Sequence, residues 1–307
     1  MKRLLVTMFS LMVLMLAACS SNEAGNTESD KVKVTTTIAQ IADGIENIGG
    51  EHVEVNSLMG PGTDPHLYKA TQSDISLLQD ADMILYNGLH LEGKMLEVLE
   101  KMGEQRTVVA VGDSLEQSNL LADKDNQNAV DPHIWFDIDL WMEALTTAKD
   151  ALIEVDPENK DDYEANAEAY FTELRELKAY ATEEIQSIPE EKRVLVTAHD
   201  AFNYFGHAYD MEVMGLQGLS TDAEYGLGDV QHLVDTIADR EINAVFVESS
   251  ISERSINAVI EGAKEKGHTV SIGGELYSDA MGEEGTELGT YVGMYKHNVD
   301  TIVQSLK

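Results

Sequence analysis

Two identical tripeptides, Asp64-Pro65-His66 and Asp131-Pro132-His133, stand out in a 307-residue chain that holds only five prolines and nine histidines. Proline fixes its own φ and restricts the residue before it, so each His is presented from stiff backbone, which suits a metal ligand. One copy would read as a turn carrying a surface His. Two copies in one half of the chain read as a pair of ligands. A third imidazole, His199 in Thr197-Ala198-His199-Asp200, falls at the C-terminal end of a predicted strand. Ligands of open α/β sheets bind past such ends. Asp279, in Leu276-Tyr277-Ser278-Asp279-Ala280-Met281-Gly282, follows a strand predicted over residues 268–272. Three imidazoles and a carboxylate form a donor set for a divalent transition metal. Spacing alone leaves open whether the four meet.

The other six histidines (His52, His90, His207, His232, His268 and His297) have no partnering motif and read as structural. His207 is included although it stands two turns beyond His199 on a predicted helix. Glu248, ending a predicted strand at 244–247, reads either as an acid that orients a ligand His or as a structural acceptor. Trp135 reads as core. A single Cys excludes an intrachain disulfide framework and any multi-Cys metal site. With 56 acidic and 21 basic residues, the formal charge of −35 argues against a nucleic-acid partner. The 43% hydrophobic content is too high for a disordered acidic chain.

These residues must be carried by strands and helices in alternation. The β-branched run at 32–37 predicts a strand. Ile38, Ile41, Ile45 and Ile48 then recur at helical spacing. Further strands are predicted at 52–58, 83–86, 107–111, 194–197, 244–247 and 268–272, and helices at 71–79, 93–102, 230–238, 255–264 and 290–306. Such alternation implies βαβ units and parallel sheets. Between the two blocks, Asp156-Pro157 reads as a helix start. Tyr163, Ala167, Tyr170, Leu174, Leu177, Ala181 and Ile185 then trace one apolar face up to Pro189. That predicts a single helix of roughly 45 Å, at 1.5 Å rise per residue. The fold expected is α/β, with two parallel-sheet lobes (32–155 and 190–307) joined by one long helix (156–189). A helix packed along both lobes predicts small movements on ligand binding.

The N-terminus explains the lone Cys. Lys2 and Arg3 precede an apolar run at 4–18, which is short for a membrane span and fits a signal peptide. The run ends Leu16-Ala17-Ala18-Cys19. This resembles the lipobox of bacterial lipoproteins, in which the Cys becomes the lipidated N-terminus. Residues 1–18 are thus expected to be removed and 19–31 to form a lipidated tether.

Taken together, the motifs resemble those of the metal-binding lipoproteins of bacterial ABC importers, the TroA-like manganese/zinc solute-binding family. The resemblance rests on the lipobox, Gly60-Pro61-Gly62-Thr63-Asp64-Pro65-His66-Leu67-Tyr68, Asp131-Pro132-His133-Ile134-Trp135-Phe136-Asp137, Thr197-Ala198-His199-Asp200-Ala201-Phe202 and the 273–282 segment. It covers essentially the whole mature chain. It implies the cluster A-I-like architecture of two lobes and a backbone helix, with metal in the cleft between them. Carried over by motif, the ligands are His66, His133, His199 and Asp279, the four residues reached above. It also implies a monomer lipid-anchored on the extracytoplasmic face of the membrane, delivering metal to a permease driven by cytoplasmic ATPases.

The metal implied is manganese(II), with zinc(II) or iron as alternatives. Zinc-specific members carry a long His-rich loop, whereas the matching stretch here, 118–130, is short, acidic and free of His. Many manganese members place Glu where His199 stands, and a third imidazole raises raw zinc affinity. The chain has no Gly-rich Lys-Ser/Thr phosphate loop, so it is not the ATPase. A metallohydrolase would need an open coordination position and a general base, and neither an HExxH helix nor a G-x-S-x-G elbow is present. An adhesin role is permitted by the anchor, but no motif supports it.

Overall fold

The structure is a computed structural model that describes residues 31–123, 129–223 and 225–307. The signal peptide, Cys19 and all but the end of the tether lie outside the described residues.

Short β-branched and apolar runs build the first sheet: β1 (Val32–Thr36), β2 (Val53–Ser57), β3 (Met83–Tyr86) and β4 (Thr107–Ala110). All pair in parallel in the order β2-β1-β3-β4, with Val34 between Val55 and Met83. The crossovers carry α1 (Ala39–Gly49), α2 (Gln72–Asp80) and α3 (Leu96–Gly103). Thr71 and Asp74 start α2 with a reciprocal capping box. The helix expected from 93 begins only at Leu96, because the preceding backbone turns through left-handed Leu89 and His90.

The sequence reading did not predict α4 (Ile138–Val155), whose N-cap Asp137 accepts the N–H groups of Asp139 and Leu140. It packs on α1. A 3₁₀ turn (Pro157–Asn159) then leads into α5 (Lys160–Gln186), so Pro157 opens the turn rather than the α-helix. Asp156 does not cap a backbone N–H; its carboxylate accepts from Tyr163 Oη and Asn159 Nδ2 instead. The buried face of α5 is the one expected, Tyr163 to Ile185 at steps of three and four. It packs on α1 and α4, and also on α6 (Asn203–Tyr209) and α9 (Tyr291–Leu306).

The later strands are β5 (Val194–His199), β6 (Glu212–Gln217), β7 (Ala244–Glu248) and β8 (Ser271–Leu276). β5 pairs with β6 and β7 with β8, all in parallel, and β5 runs beside β7. β5 and β7 are buried throughout, as near-continuous apolar strands covered on both faces should be. α7 (Leu227–Asp239) and α8 (Arg254–Glu265) pack on each other, and α9 packs on β8.

Two expectations shift here. β6 was not foreseen. The strand expected at 268–272 lies at Ser271–Leu276, across Gly273 and Gly274. Glycine weakens a strand pattern, but a Cβ at Gly274 would stand 2.4 Å from Thr301 Cγ2 of α9. Close helix approach, not strand propensity, selects those glycines.

Candidate metal centre

Each candidate ligand is aimed by a local device. In the loop after β2, Asp64 Oδ1 accepts the backbone N–H of His66 at 2.9 Å, an Asx turn that sets the direction of the His. The second tripeptide repeats this: Asp131 Oδ1 accepts the N–H of His133 at 2.9 Å and also contacts its Nδ1 at 2.7 Å. Asn87 Nδ2 holds the intervening Pro132 carbonyl at 2.9 Å. Buried Glu92 braces Asn87 from behind, accepting its N–H at 2.8 Å and the Thr37 hydroxyl at 2.6 Å.

His199 is the last residue of β5. Its N–H donates to Glu248 Oε1 at 2.9 Å, and its Nδ1 lies 2.6 Å from Glu248 Oε2 at the end of β7. β6 must pass very close to this point. A Cβ at Gly215 would lie 2.4 Å from the Asp200 nitrogen and 2.5 Å from the His199 carbonyl carbon, so only glycine fits. Asp279 stands three residues past β8. Its loop is held by residues from the start of the chain: Gln40 Nε2 donates to the carbonyls of Ser278 (3.4 Å) and Asp279 (3.2 Å). Trp135 Nε1 donates to the Ser278 carbonyl at 3.1 Å.

These devices bring all four residues together. One donor atom from each of His66, His133, His199 and Asp279 lies within 4.8 Å of every other. Asp279 Oδ1 is 3.3 Å from His133 Nε2, while Oδ2 is 3.3 Å from His199 Nε2 and 3.6 Å from His66 Nε2. None of the four is more than 3% exposed. The three Nε2 atoms and both Asp279 oxygens are buried without a hydrogen-bond partner. Five orphaned polar atoms facing one point are costly unless something binds there. Bonds of ~2.05 Å to a tetrahedral ion would separate adjacent donors by about 3.3 Å, close to the spacing observed. Both carboxylate oxygens face inward, so the set offers as many as five donors.

The carboxylates around the centre favour protonated imidazoles on His133 and His199, and a bound cation must displace those protons. Burial pushes the His66 imidazole down to about 3, keeping it neutral with a free lone pair. Burial also opposes charge on His133, but Asp131 and Asp279 overcome it and raise that group to about 9. Glu248 and Asp279 do the same to His199, raising it well above its ordinary value against burial. Burial disfavours the Asp279 carboxylate, yet His199, His133 and His66 together hold it far below the usual range. Asp131 and Glu248 each face an Nδ1, so when a metal displaces a proton from these imidazoles the remaining proton stays on Nδ1 and the Nε2 lone pair faces the centre.

Glu248 thus orients a candidate ligand rather than merely accepting a stray bond. Asp131 has the same role, which the sequence carried in its repeated tripeptide but which was not singled out. Trp135 is fully buried, as expected of core, yet its ring also lies 5.3 Å from that of His133. The remaining histidines stay apart from the centre. His52 pairs with Asp162, and His268 and His297 contact the carbonyls of Ile242 and Glu275. His90 occupies a left-handed turn. His207 and His232 line a cavity beside β6.

Comparison with known proteins gives a consistent picture. The family described as the periplasmic zinc-uptake complex component A matches residues 34–305. The manganese-binding lipoprotein MntA of Bacillus subtilis is 54% identical over 292 residues, covering 95% of each chain. The zinc-binding protein TroA of Treponema pallidum is 48% identical over 276 residues, covering 90% of this chain and 89% of its own. The solved structure of the Treponema protein superimposes with a TM-score of 0.88, covering 90% of this chain and 99% of the other.

Proposed function

Since the chain belongs to the family of the zinc-uptake component A and its TroA-like relatives, we propose that it is the solute-binding component of an ABC importer that captures manganese(II) outside the membrane and hands it to a permease. The observation that carries this reading is the cluster of buried, unpartnered His66, His133, His199 and Asp279 donors. We assign those four as the ligands of the transported ion. Manganese is favoured by the 54% identity to the Bacillus manganese-binding lipoprotein and by the inward-facing pair of carboxylate oxygens, which permits more than four donors.

Zinc is the second reading. It is supported by the third imidazole, by donor spacing that suits a tetrahedral ion, and by the likeness to the Treponema protein. On raw affinity, zinc should bind at least as tightly as manganese in the test tube. Cellular selection would then rest on availability. The enclosure of the donors favours a carrier over a hydrolase, which would need an accessible coordination position.

Cys19 is the proposed site of lipidation, anchoring a monomer on the extracytoplasmic face. Residues 1–18 and 19–31 are the proposed signal peptide and tether. Residues 32–155 and 190–307 are the proposed lobes, and 156–189 the link. The proposed partners are the membrane permease and its ATPase subunits. Among the described residues no helix is long and apolar enough to cross a membrane.

The test is metal content after purification, followed by competitive manganese and zinc titration of the protein and of His66→Ala and Asp279→Ala. One ion per chain is expected, with tight binding lost in both variants. Undiminished binding in both would overturn the ligand assignment.

A further inference from the structure

The two Asp-Pro-His tripeptides do more than aim their histidines. In each, one carboxylate oxygen serves the candidate ligand and the other reaches into the later half of the chain. Asp131 Oδ2 accepts from Asn203 Nδ2 at 3.0 Å, at the start of α6. Asp64 Oδ2 accepts the Thr221 hydroxyl at 2.6 Å, in the loop between β6 and α7. The same loop is tied again nearby, where Lys94 Nζ lies 2.7 Å from Asp222 Oδ2.

The two ties differ in how firmly each is built. Asn203 also donates to the Asp200 carbonyl at 2.9 Å, and Tyr204 Oη donates to the Asp131 carbonyl at 3.0 Å, so Asp131 sits in a buried network. Asp64 has no such backing from the later half. Its tie is one charge-assisted hydrogen bond to half-buried Thr221, in a second-half loop most of whose described residues are exposed. The Lys94–Asp222 pair is exposed enough to be screened and adds little. Asp64 is therefore the place where the ligand His66 and the later half can separate most easily.

We propose that Asp64 is a positioning residue that couples His66 to the loop segment 218–223, so that a bound ion leaves only after the Asp64–Thr221 bond opens. The inference rests on the metal reading above and names the element that controls release. Losing the bond leaves the donor set intact and lets His66 swing outward, so the effect falls on dissociation. A charge-assisted hydrogen bond of this kind supports a change on the order of tenfold.

The experiment loads the full mature protein with manganese(II), and in parallel with zinc(II), and follows transfer to excess fluorescent chelator. Thr221→Val removes the hydroxyl at nearly constant volume and should release metal roughly tenfold faster, with the thermal midpoint of the metal-free protein lowered by only about 2–6 °C. Thr221→Ser keeps the hydroxyl and should restore slow release. Asp64→Ala should release at least as fast, and Thr221→Val should add nothing in that background. An unchanged rate in Thr221→Val overturns the coupling. So does a Thr221→Ser variant as fast as Thr221→Val, or a double variant whose effects simply multiply. A wild-type chain that takes up neither ion refutes the metal reading, and the coupling with it.

Discussion

Glu248→Gln tests how the centre keeps its lone pairs pointed inward. Glu248 is 2% exposed, and both its oxygens serve His199: Oε1 takes the backbone N–H at 2.9 Å and Oε2 faces Nδ1 at 2.6 Å. A carboxylate accepts at both positions. An amide has one acceptor and one donor. If the Gln carbonyl keeps the backbone N–H, its NH₂ faces Nδ1 and favours the tautomer with the proton on Nε2, the metal-facing atom. If it turns over, two N–H donors confront one another. In the first orientation Nε2 is no longer free for a metal; in the second it stays free, but the buried backbone N–H of His199 loses its acceptor and the fold is weakened. Such partners of ligand histidines are worth about 10–100-fold in metal affinity, or ~1.4–2.8 kcal/mol. The amide is nearly isosteric with the acid, so the fold should persist. The assay is competitive titration with a calibrated chelator, alongside thermal unfolding of the metal-free protein. Wild-type affinity in a Glu248→Gln variant whose metal-free form is also as stable as wild type would refute the claim that this acid sets the His199 tautomer.

Two further outcomes test the frame around the centre. Gly215→Ala places a Cβ 2.4 Å from the Asp200 backbone nitrogen; it should destabilise the chain by about 1–3 kcal/mol or more and displace His199, read by denaturant unfolding and by metal affinity. Asp43 accepts the Tyr170 hydroxyl at 2.7 Å, and burial raises its pKa above the ordinary carboxylate value despite that bond. A raised folded pKa contributes stability that is present below the unfolded pKa and lost as pH rises through the folded one. Asp43→Asn should therefore gain stability relative to wild type as pH rises above the ordinary carboxylate range, and a pH-independent difference in denaturant midpoints would contradict this.

The sequence carried the chemistry better than the scaffold's details. Pro65 and Pro132 marked two of the four donors, and strand ends marked the other two, because ligands in α/β proteins gather past carboxyl ends. The face of α5 was legible residue by residue, since its apolar positions keep helical spacing for 27 residues. β6 was not legible. Its pattern Glu-Val-Met-Gly-Leu-Gln carries a central glycine that reads as a break, and that glycine exists only because β5 passes within contact distance. β8 hid behind Gly273 and Gly274 for a related reason, the nearness of α9. α4 begins at Asp137, a residue already assigned to the metal motif, so its capping role went unread. The meeting of the four donors depends on contacts such as Gln40 to Asp279, 239 positions apart, and no local pattern encodes that.

Those long-range contacts also bear on how an ion can enter and leave. α5 packs on α1, α4, α6 and α9. Its buried residues belong to one apolar core that runs from Val32 to Leu306. Within that core, Tyr291 and Tyr295 of α9 donate to the carbonyls of Trp135 at 2.6 Å and Phe136 at 2.8 Å, immediately after His133. A wide hinge would have to break these buried bonds and expose the aromatic cluster around Phe136, Phe202 and Phe205, whose side chains each bury roughly 150–250 Å². Opening the loop that carries His66 costs far less, because β2, β5 and β8 can stay in place while residues 60–68 and 218–223 part. The fold therefore concentrates its give at the ties between loops, and the rate of metal release should respond to Thr221 far more than to the length or stiffness of the long helix.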